Sequence, residues 1–217
     1  MRAQDLEVRY QGGPQAAVAG VSFSLGPGEG LLLVGPPGCG KTSVLRALLG
    51  LVRWTGAAEL FGRPPSAADA LRRVGYAPQG RFVAGGLSAA DHVRLVARLR
   101  GLDEPAAAAA HALSRAGLAA PDRQGTGLDV EEMRRLALAC ALAGDPDLLV
   151  LDDPWEFVET ETAVADARRR GAAVLAASND PGGLPALLGR TLALVDGAPA
   201  ERAEAAGAAG ATGAGPT

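Results

Sequence analysis

The feature that most constrains this chain is a glycine-rich turn between an apolar strand and an apolar helix. The run Leu31-Leu32-Leu33-Val34 leads into the turn, and residues 43–51 continue as an apolar helix. The turn fits the pattern G-x-x-x-x-G-K-[ST], in which glycines let successive backbone N–H groups point at anionic oxygens. The spacing predicts a phosphate-binding loop made of Gly35, Pro36, Pro37, Gly38, Cys39, Gly40, Lys41, Thr42 and Ser43.

The residue types in this loop indicate a nucleoside triphosphate with its metal. Lys41 is expected to reach the β- and γ-phosphates, and the Thr42 hydroxyl is expected to bind Mg²⁺. The helix that starts near Thr42 would turn its positive end toward the ligand. The motif alone does not choose among kinases, GTPases, motors and transporter ATPases.

Composition narrows the class of protein. The 217 residues with 48% hydrophobic content suffice for one domain with a sizeable core. The 21 basic and 24 acidic residues nearly balance, so we expect no nucleic-acid partner. Cys39 and Cys140 give no disulfide framework, which favours a cytoplasmic location. No apolar run approaches the roughly 20 residues that span a bilayer, so a membrane role would need a partner.

The alternation of strand-like and helix-like runs predicts an α/β fold with a mixed, largely parallel sheet. Two edge-type strands come first and predict an N-terminal antiparallel β-subdomain before the P-loop core, and strands resume after a long helical stretch. The predicted strands are Leu6 to Tyr10, Val21 to Leu25, Ala57 to Phe61, Val74 to Ala77, Leu148 to Leu151, Ala173 to Ala177 and Thr191 to Val195. The predicted lobe helices are His92 to Leu99, Pro105 to Ala116 and Glu131 to Ala143.

These elements predict one nucleotide-binding domain over residues 1–197 with a helical lobe, about 81–135, inserted in its core. Residues 198–217 are Ala, Gly, Pro and Thr with a few charges, so we expect a disordered tail. His92 and His111 are expected to be exposed residues of the helical lobe with no role in chemistry.

A second chemical landmark is the run Leu148-Leu149-Val150-Leu151-Asp152-Asp153-Pro154. Its four apolar residues predict a buried strand, with Asp152 at the carboxyl end placed to hold Mg²⁺ through water. A helix cap or a turn is the structural alternative for Asp152.

The run Leu136 to Pro154 resembles the helix and Walker B strand of ATP-binding cassette (ABC) ATPases. Gln79, in Tyr76-Ala77-Pro78-Gln79, resembles that family's Q-loop, and Tyr10 resembles the aromatic residue that stacks on adenine. The segment Val21 to Glu29 is similar to the family's approach to its phosphate loop. The resemblance covers roughly residues 5–197. It implies that Gln79 contacts Mg²⁺ or the attacking water and that Tyr10 offers its ring to the base, although an exposed tyrosine without a ligand remains the alternative.

The chain departs from the family at three positions. The signature loop Leu-Ser-Gly-Gly-Gln aligns with Leu128-Asp129-Val130-Glu131-Glu132, so three carboxylates replace the groups that would reach a partner's γ-phosphate. We expect Asp129 to cap a helix and the carboxylates to repel phosphate. Asp153 stands where the family has a catalytic glutamate, and its shorter stem predicts a weak base.

The third departure is Asn179, which stands where the family has a γ-phosphate-sensing histidine. An amide donates a hydrogen bond but carries no charge. The resemblance therefore implies an ATP-binding subunit with slow hydrolysis, which works with a membrane-spanning permease and a second ABC ATPase at the inner face of the membrane. A non-hydrolysing regulatory module is the alternative from another class, and a small-molecule kinase is a third.

Overall fold

The computed structural model describes residues 1–12, 15–80, 82–154, 158–180 and 182–200. Most of the predicted tail, residues 201–217, lies outside the described residues, as do Trp155, Glu156 and Phe157. The strands are β1 (Arg2–Val8), β2 (Val18–Ser24), β3 (Gly30–Val34), β4 (Thr55–Glu59), β5 (Val74–Ala77), β6 (Leu148–Asp152), β7 (Ala173–Ser178), β8 (Thr191–Val195) and β9 (Ala198–Pro199). The α-helices are α1 (Lys41–Leu48), α2 (Ala68–Leu71), α3 (Ala89–Leu99), α4 (Pro105–Arg115), α5 (Val130–Leu142), α6 (Val158–Arg169) and α7 (Leu184–Leu188), and Gly125–Gly127 form a 3-10 helix.

Two sheets organise these elements. β1 pairs antiparallel with both β2 and β4, which gives a three-stranded sheet in the order β2-β1-β4. The second sheet has the order β5-β6-β7-β3-β8-β9, and its first five strands are parallel. The predicted α/β class, with a mixed, largely parallel sheet and an antiparallel N-terminal sheet, is confirmed.

The apolar strands of the large sheet are buried on both faces, as helix-covered parallel strands are. Leu31 and Leu33 of β3 pack into a core shared with the antiparallel sheet and α1. Leu32, between them, faces a second core formed with the helices that follow β5. Because the side chains of a strand alternate, one apolar run fills both cores. Because β3, β6 and β7 pair in parallel, their carboxyl ends lie at the same edge of the sheet.

Between β5 and β6 the described residues form α3, α4, the 3-10 helix and α5, in agreement with the predicted helical stretch. His111 is exposed, as expected. The expectation for His92 is wrong, because its side chain is only 6% exposed. Residue spacing on α3 did not reveal this, since the covering residues come from the loops before α3 and before α5.

The predicted start of the disordered tail is also wrong by a few residues. Ala198–Pro199 form β9, which pairs antiparallel with Leu194 and Val195 of β8. Ala200 N–H donates to the Ala193 carbonyl at 2.9 Å. Backbone hydrogen bonds to an open sheet edge need no apolar side chain, so composition gave no indication of this strand.

Candidate nucleotide-binding site

The phosphate loop joins the end of β3 to the start of α1. Gly35 has φ 151° and Gly40 has φ 99°, and both values favour glycine. A Cβ on Gly35 would lie 2.2 Å from the Leu194 carbonyl oxygen, and a Cβ on Gly40 would lie 2.2 Å from that of Ala17. The two glycines therefore let the loop pack closely against neighbouring backbone.

Lys41 opens α1 and is the only lysine in the sequence. Its side chain is 7% exposed. Nζ donates to the Gly35 carbonyl at 2.7 Å, to the Pro36 carbonyl at 3.0 Å and to Asn179 Oδ1 at 2.9 Å. Cys39 Sγ lies 3.4 Å from the same atom. Four acceptor atoms thus surround a nearly buried ammonium group beside the phosphate loop.

Thr42 and Asp152, two of the residues predicted to hold magnesium, contact each other. Thr42 Oγ1 donates to Asp152 Oδ1 at 2.8 Å, and the Tyr76 hydroxyl donates to Asp152 Oδ2 at 3.4 Å. Burial raises the pKa of Asp152, and the hydrogen bonds from Thr42 and Tyr76 partly oppose this shift. Burial first, and the Asp152 charge second, raise the pKa of Tyr76 to about 12. Tyr76 is therefore a neutral donor to the Asp152 carboxylate.

Gln79 and Asp153 contact each other on the far side of the site. Gln79 Nε2 donates to Asp153 Oδ2 at 2.9 Å. Asp153 has φ 54°, an uncommon value for a residue with a side chain, and its N–H donates to the Ala177 carbonyl at 2.7 Å. The two residues implied to handle water are thus held together by a direct hydrogen bond.

Tyr10 lies two residues beyond the end of β1, so the predicted strand is too long at this end. Its side chain is 42% exposed, and its hydroxyl lies 3.2 Å from Ser43 Oγ. A tyrosine ring beside the phosphate loop and open to solvent is available for stacking on a base.

A cavity of about 200 Å³ contains most of the predicted site. Its lining is Pro37, Gly38, Gly40, Lys41, Thr42, Ser43, Gln79, Asp152, Asp153, Ala177 and Asn179. Tyr10 and Ser43 touch at its side, whereas Gly35, Pro36 and Cys39 surround Lys41 and do not line the cavity. Hydroxyl and carboxylate oxygens suit Mg²⁺, which keeps several waters and substrate phosphates as its other ligands. The donor set therefore fits MgATP, whose metal would be held by Thr42 and Asp152 and would neutralise phosphate charge.

Sequence reasoning missed Tyr76 as part of this site. The strand order explains the contact, because β5 and β6 pair in parallel and Tyr76 lies opposite Val150 in the register. Only the pairing of β5 with β6 brings the hydroxyl to Asp152. The alternation of residues in β5 would have indicated which face Tyr76 occupies, but not which carboxylate it meets.

The segment aligned with the family's signature loop starts α5. Asp129 accepts from Glu132 N–H at 2.8 Å, and Glu132 accepts from Asp129 N–H at 3.0 Å, so the predicted cap is a complete capping box. Arg123 Nη1 donates to both Glu132 oxygens at 2.6 Å, and Arg135 pairs with Glu131. Arginines thus neutralise two of the three carboxylates, so the repulsion expected from the sequence is overestimated.

These features agree with the comparison to known families. The family model described as ABC transporter matches residues 18–156. The chain belongs to the ABC transporter family, whose ATPases bind ATP.

The chain is similar to several curated proteins. It is 34% identical over 165 residues to the taurine import ATP-binding protein TauB of Chromobacterium violaceum, which covers 75% of this chain and 63% of that protein. It is 37% identical over 188 residues to the zinc import ATP-binding protein ZnuC of Cereibacter sphaeroides, which covers 82% of this chain and 72% of that protein. It also matches 9% of the much longer human phospholipid-transporting ATPase ABCA7, at 33% identity over 87% of this chain. The chain therefore spans less than two thirds of some relatives.

Solved structures support the fold. A dimeric bacterial ABC transporter cassette superposes with a TM-score of 0.83 at 19% identity, over 92% of this chain and 96% of that one. The same cassette in a post-hydrolysis state with ADP and Pi gives 0.83 at 20% identity, with the same coverage. Among the residues that the structure describes, none of the helices has the length and apolar character needed to cross a membrane.

Proposed function

We propose that this chain is the ATP-binding subunit of an ABC transporter, which binds MgATP, hydrolyses it slowly and drives or regulates a membrane permease. The observation that carries the proposal is the contact of Thr42 with Asp152 beside the buried Lys41 at the carboxyl edge of the sheet. Strand-end oxygens and a loop of N–H groups at this edge suit a phosphate and its metal.

Slow hydrolysis follows from two side chains. Asp153 would be the general base, but its stem is short and its carboxylate accepts a hydrogen bond from Gln79. Its backbone is fixed as well, because its N–H donates to the Ala177 carbonyl. Asn179 uses its oxygen to accept from Lys41, which leaves its amide N–H groups for a γ-phosphate. The amide of Asn179 is a neutral donor, which stabilises developing charge less than a cation does. Asp153 and Asn179 would therefore both reduce the rate of hydrolysis.

The permease partner is supported by an apolar groove of about 530 Å³ next to the site. The groove runs between α2, β5 and α3, where α3 belongs to the helices that we assign to an inserted lobe. Leu99 on its rim is 69% exposed, and Pro78 links its lining directly to Gln79. A helix of the permease would cover these apolar groups, and its movement would act on Gln79. This contact would place the chain at the cytoplasmic face of a membrane, with a second ABC ATPase as its partner.

Two of the relatives described above are named as import ATP-binding proteins, for taurine and for zinc, which supports a transport role. A regulatory module that binds ATP without hydrolysing it is the second candidate. It is favoured by the start of α5. There the carboxylates of Asp129, Glu131 and Glu132 stand in place of groups that would donate hydrogen bonds to phosphate. The two candidates share the same nucleotide site and differ only in phosphate release.

The first experiment tests nucleotide binding at this site. Because Lys41 is the only lysine, an acyl-phosphate analogue of ATP that acylates amines has one side-chain target. We expect labelling of the peptide that contains Lys41 and protection by excess MgATP, with weaker protection when EDTA removes the metal. Peptide mapping separates Lys41 from the N-terminal amine. Labelling that MgATP does not reduce would reject the proposed site.

The second experiment separates an ATP-hydrolysing transporter subunit from a regulatory module that does not hydrolyse ATP. Phosphate release is measured with the purified chain alone and with the product of any neighbouring cassette or permease gene, against Lys41→Ala as the control. We expect a low Mg²⁺-dependent rate that rises about tenfold in Asp153→Glu, whose longer stem brings the carboxylate nearer to the water. A wild-type rate equal to that of the control in both settings would reject the ATP-hydrolysing transporter subunit and leave the regulatory module.

A further inference from the structure

His92 is a buried imidazole whose two ring nitrogens both have backbone partners. Ala84 N–H donates to Nε2 at 2.8 Å, and Nδ1 lies 2.8 Å from the Ser88 carbonyl oxygen. Because Nε2 accepts, it carries no hydrogen, and because Nδ1 faces a carbonyl, it must donate. These partners select the neutral ring with its hydrogen on Nδ1. Every polar atom in this contact is then satisfied.

The ring lies where two functional segments meet. Ala84 belongs to the chain that leaves Gln79, and Ser88 caps the start of α3. From the other side, a Cβ on Gly125 would lie 3.0 Å from His92 Cε1 and 3.0 Å from Val83 Cγ1. Gly125 belongs to the 3-10 helix that precedes α5.

Backbone contacts join the same two segments around the ring. Gly125 N–H donates to the Leu87 carbonyl at 2.9 Å, and Ser88 forms a bridge with Gln124. Ala89 N–H donates to the Arg123 carbonyl at 3.0 Å. His92 thus fills the space beneath a backbone junction that connects residues 82–88 with residues 123–125.

We propose that His92 is a positioning residue that fixes the segment after Gln79 to the turn before α5, and that a proton on Nε2 releases this junction. Protonated Nε2 is a donor and would face the Ala84 N–H, so two donors would meet where a hydrogen bond now exists. The link joins the water-handling side of the nucleotide site to the helix start that replaces the signature loop. This conformational role goes beyond the proposed transport function.

The charged groups near the His92 ring are engaged in other contacts. Asp91, the residue before His92 on α3, interacts with it electrostatically, but the Asp91 carboxylate accepts from Ser88 Oγ at 2.7 Å and from Arg94 Nη1 at 3.0 Å. The two loops against the ring, residues 82–88 and 124–128, contain no ionisable side chain. Arg123, at the edge of the second loop, pairs with Glu132. The imidazole is therefore the ionisable side chain that these backbone contacts enclose.

Hydrogen exchange of the full nucleotide-free chain tests the proposal. Exchange is compared at about pH 7.5 and about pH 5.5, the range over which imidazole gains its proton, after correction for intrinsic rates. We expect peptides that cover residues 82–90 and 121–128 to lose about tenfold in protection at the lower pH, as one hydrogen bond to a buried N–H is lost. Peptides from β3, β6 and β7 should keep their protection.

Two variants separate His92 from other causes. His92→Gln keeps an acceptor for Ala84 but does not titrate, so its junction should show no pH response. His111→Gln, which changes the exposed histidine of the same helical region, should respond like the wild type. His92→Ala removes the acceptor and should be unprotected at both pH values.

The proposal is overturned if protection of the junction in the wild type is independent of pH, or if the same pH response persists in His92→Gln. Failure of His92→Ala to fold would not remove the test, because the wild type and His92→Gln decide it. The readout needs no nucleotide, so a failure of ATP binding would not be mistaken for a failure of this link.

Discussion

The phosphate loop and the start of α5 are both helix N-termini with motifs of the same family, but they are built for different contacts. At the first, Lys41 and Thr42 lie within a site that is closed by Asp152 and Asn179. At the second, Asp129 and Glu132 satisfy each other, and Val130 between them is 64% exposed. At one terminus the side chains contact residues from other strands of the sheet, and at the other they contact their own helix.

This difference shows that a helix start can be retained when its ligand contacts are not. The capping box needs only two carboxylates at fixed spacing, and these also suit the positive end of the helix. Phosphate binding needs free N–H groups and a cation that is not already paired. At the start of α5 the Glu132 N–H donates to Asp129, and the arginines pair with Glu131 and Glu132. The phosphate loop has a cation in Lys41, and its neighbouring carboxylate, Asp152, comes from another strand.

The largest effect should come from Lys41→Ala. Loss of a charge-assisted hydrogen bond to phosphate should weaken binding of a fluorescent ATP analogue about a hundredfold. The measurement is a fluorescence titration with Mg²⁺, and a thermal melt checks that the variant is folded. Arg123→Gln is the matched control, since it removes a cation near α5, and it should leave the affinity unchanged. Equal losses in both variants would remove the contrast between the two helix starts.

A second effect concerns the metal. Asp152→Asn should reduce the gain in ATP affinity that Mg²⁺ provides by about tenfold, because an amide oxygen is a weaker magnesium ligand than a carboxylate. Titrations with Mg²⁺ and with EDTA measure this gain, and it should be retained in Asp147→Asn, at the exposed opposite end of β6. An undiminished gain in Asp152→Asn would place the metal elsewhere.

The same variant should be more stable without nucleotide. Burial raises the pKa of Asp152, so above that pKa the folded chain holds a carboxylate whose ionised form is disfavoured. Below the unfolded pKa of about 4 the carboxyl is protonated in both states, and this cost in stability is absent. We expect the melting temperature of Asp152→Asn to exceed that of the wild type at neutral pH, because the variant buries no charge at this position. The excess should shrink toward about pH 4, and an excess that grows in acid would contradict this explanation.

The smallest effect should come from the start of α5. Asp129→Ala removes the cap and should destabilise the chain by about 1 kcal/mol without changing ATP affinity. Glu131→Gln is the matched control, because Glu131 lies in the same turn but is not part of the capping box, and its exposed pair with Arg135 should contribute well under 1 kcal/mol. Denaturant unfolding measures both. A loss of ATP affinity in Asp129→Ala would show that this helix start contributes to the nucleotide site.

Much of the fold could be predicted from the sequence because local patterns coincide with the elements. The bounds predicted for β5 and β8 agree with the structure, and the strand carrying Asp152 is longer by one residue. Errors fall where distant segments decide the outcome. Tyr10 lies beyond the end of β1, Ala198 pairs with β8, and His92 is covered by loops that periodicity does not see.

For the site, the sequence by itself determined which groups are present: a glycine-rich loop with one lysine, a hydroxyl, two acidic residues at a strand end and an amide in place of a histidine. Their spacing alone implies phosphate chemistry, because backbone N–H groups, Lys41 and Thr42 act within one loop. Only the tertiary structure decided the partners. Parallel pairing of β5, β6 and β7 brings Tyr76 to Asp152, and the proximity of β7 to β3 brings Asn179 to Lys41. Hydrogen bonds depend on distances of about 3 Å, which only the packed sheet fixes between residues so far apart in the chain.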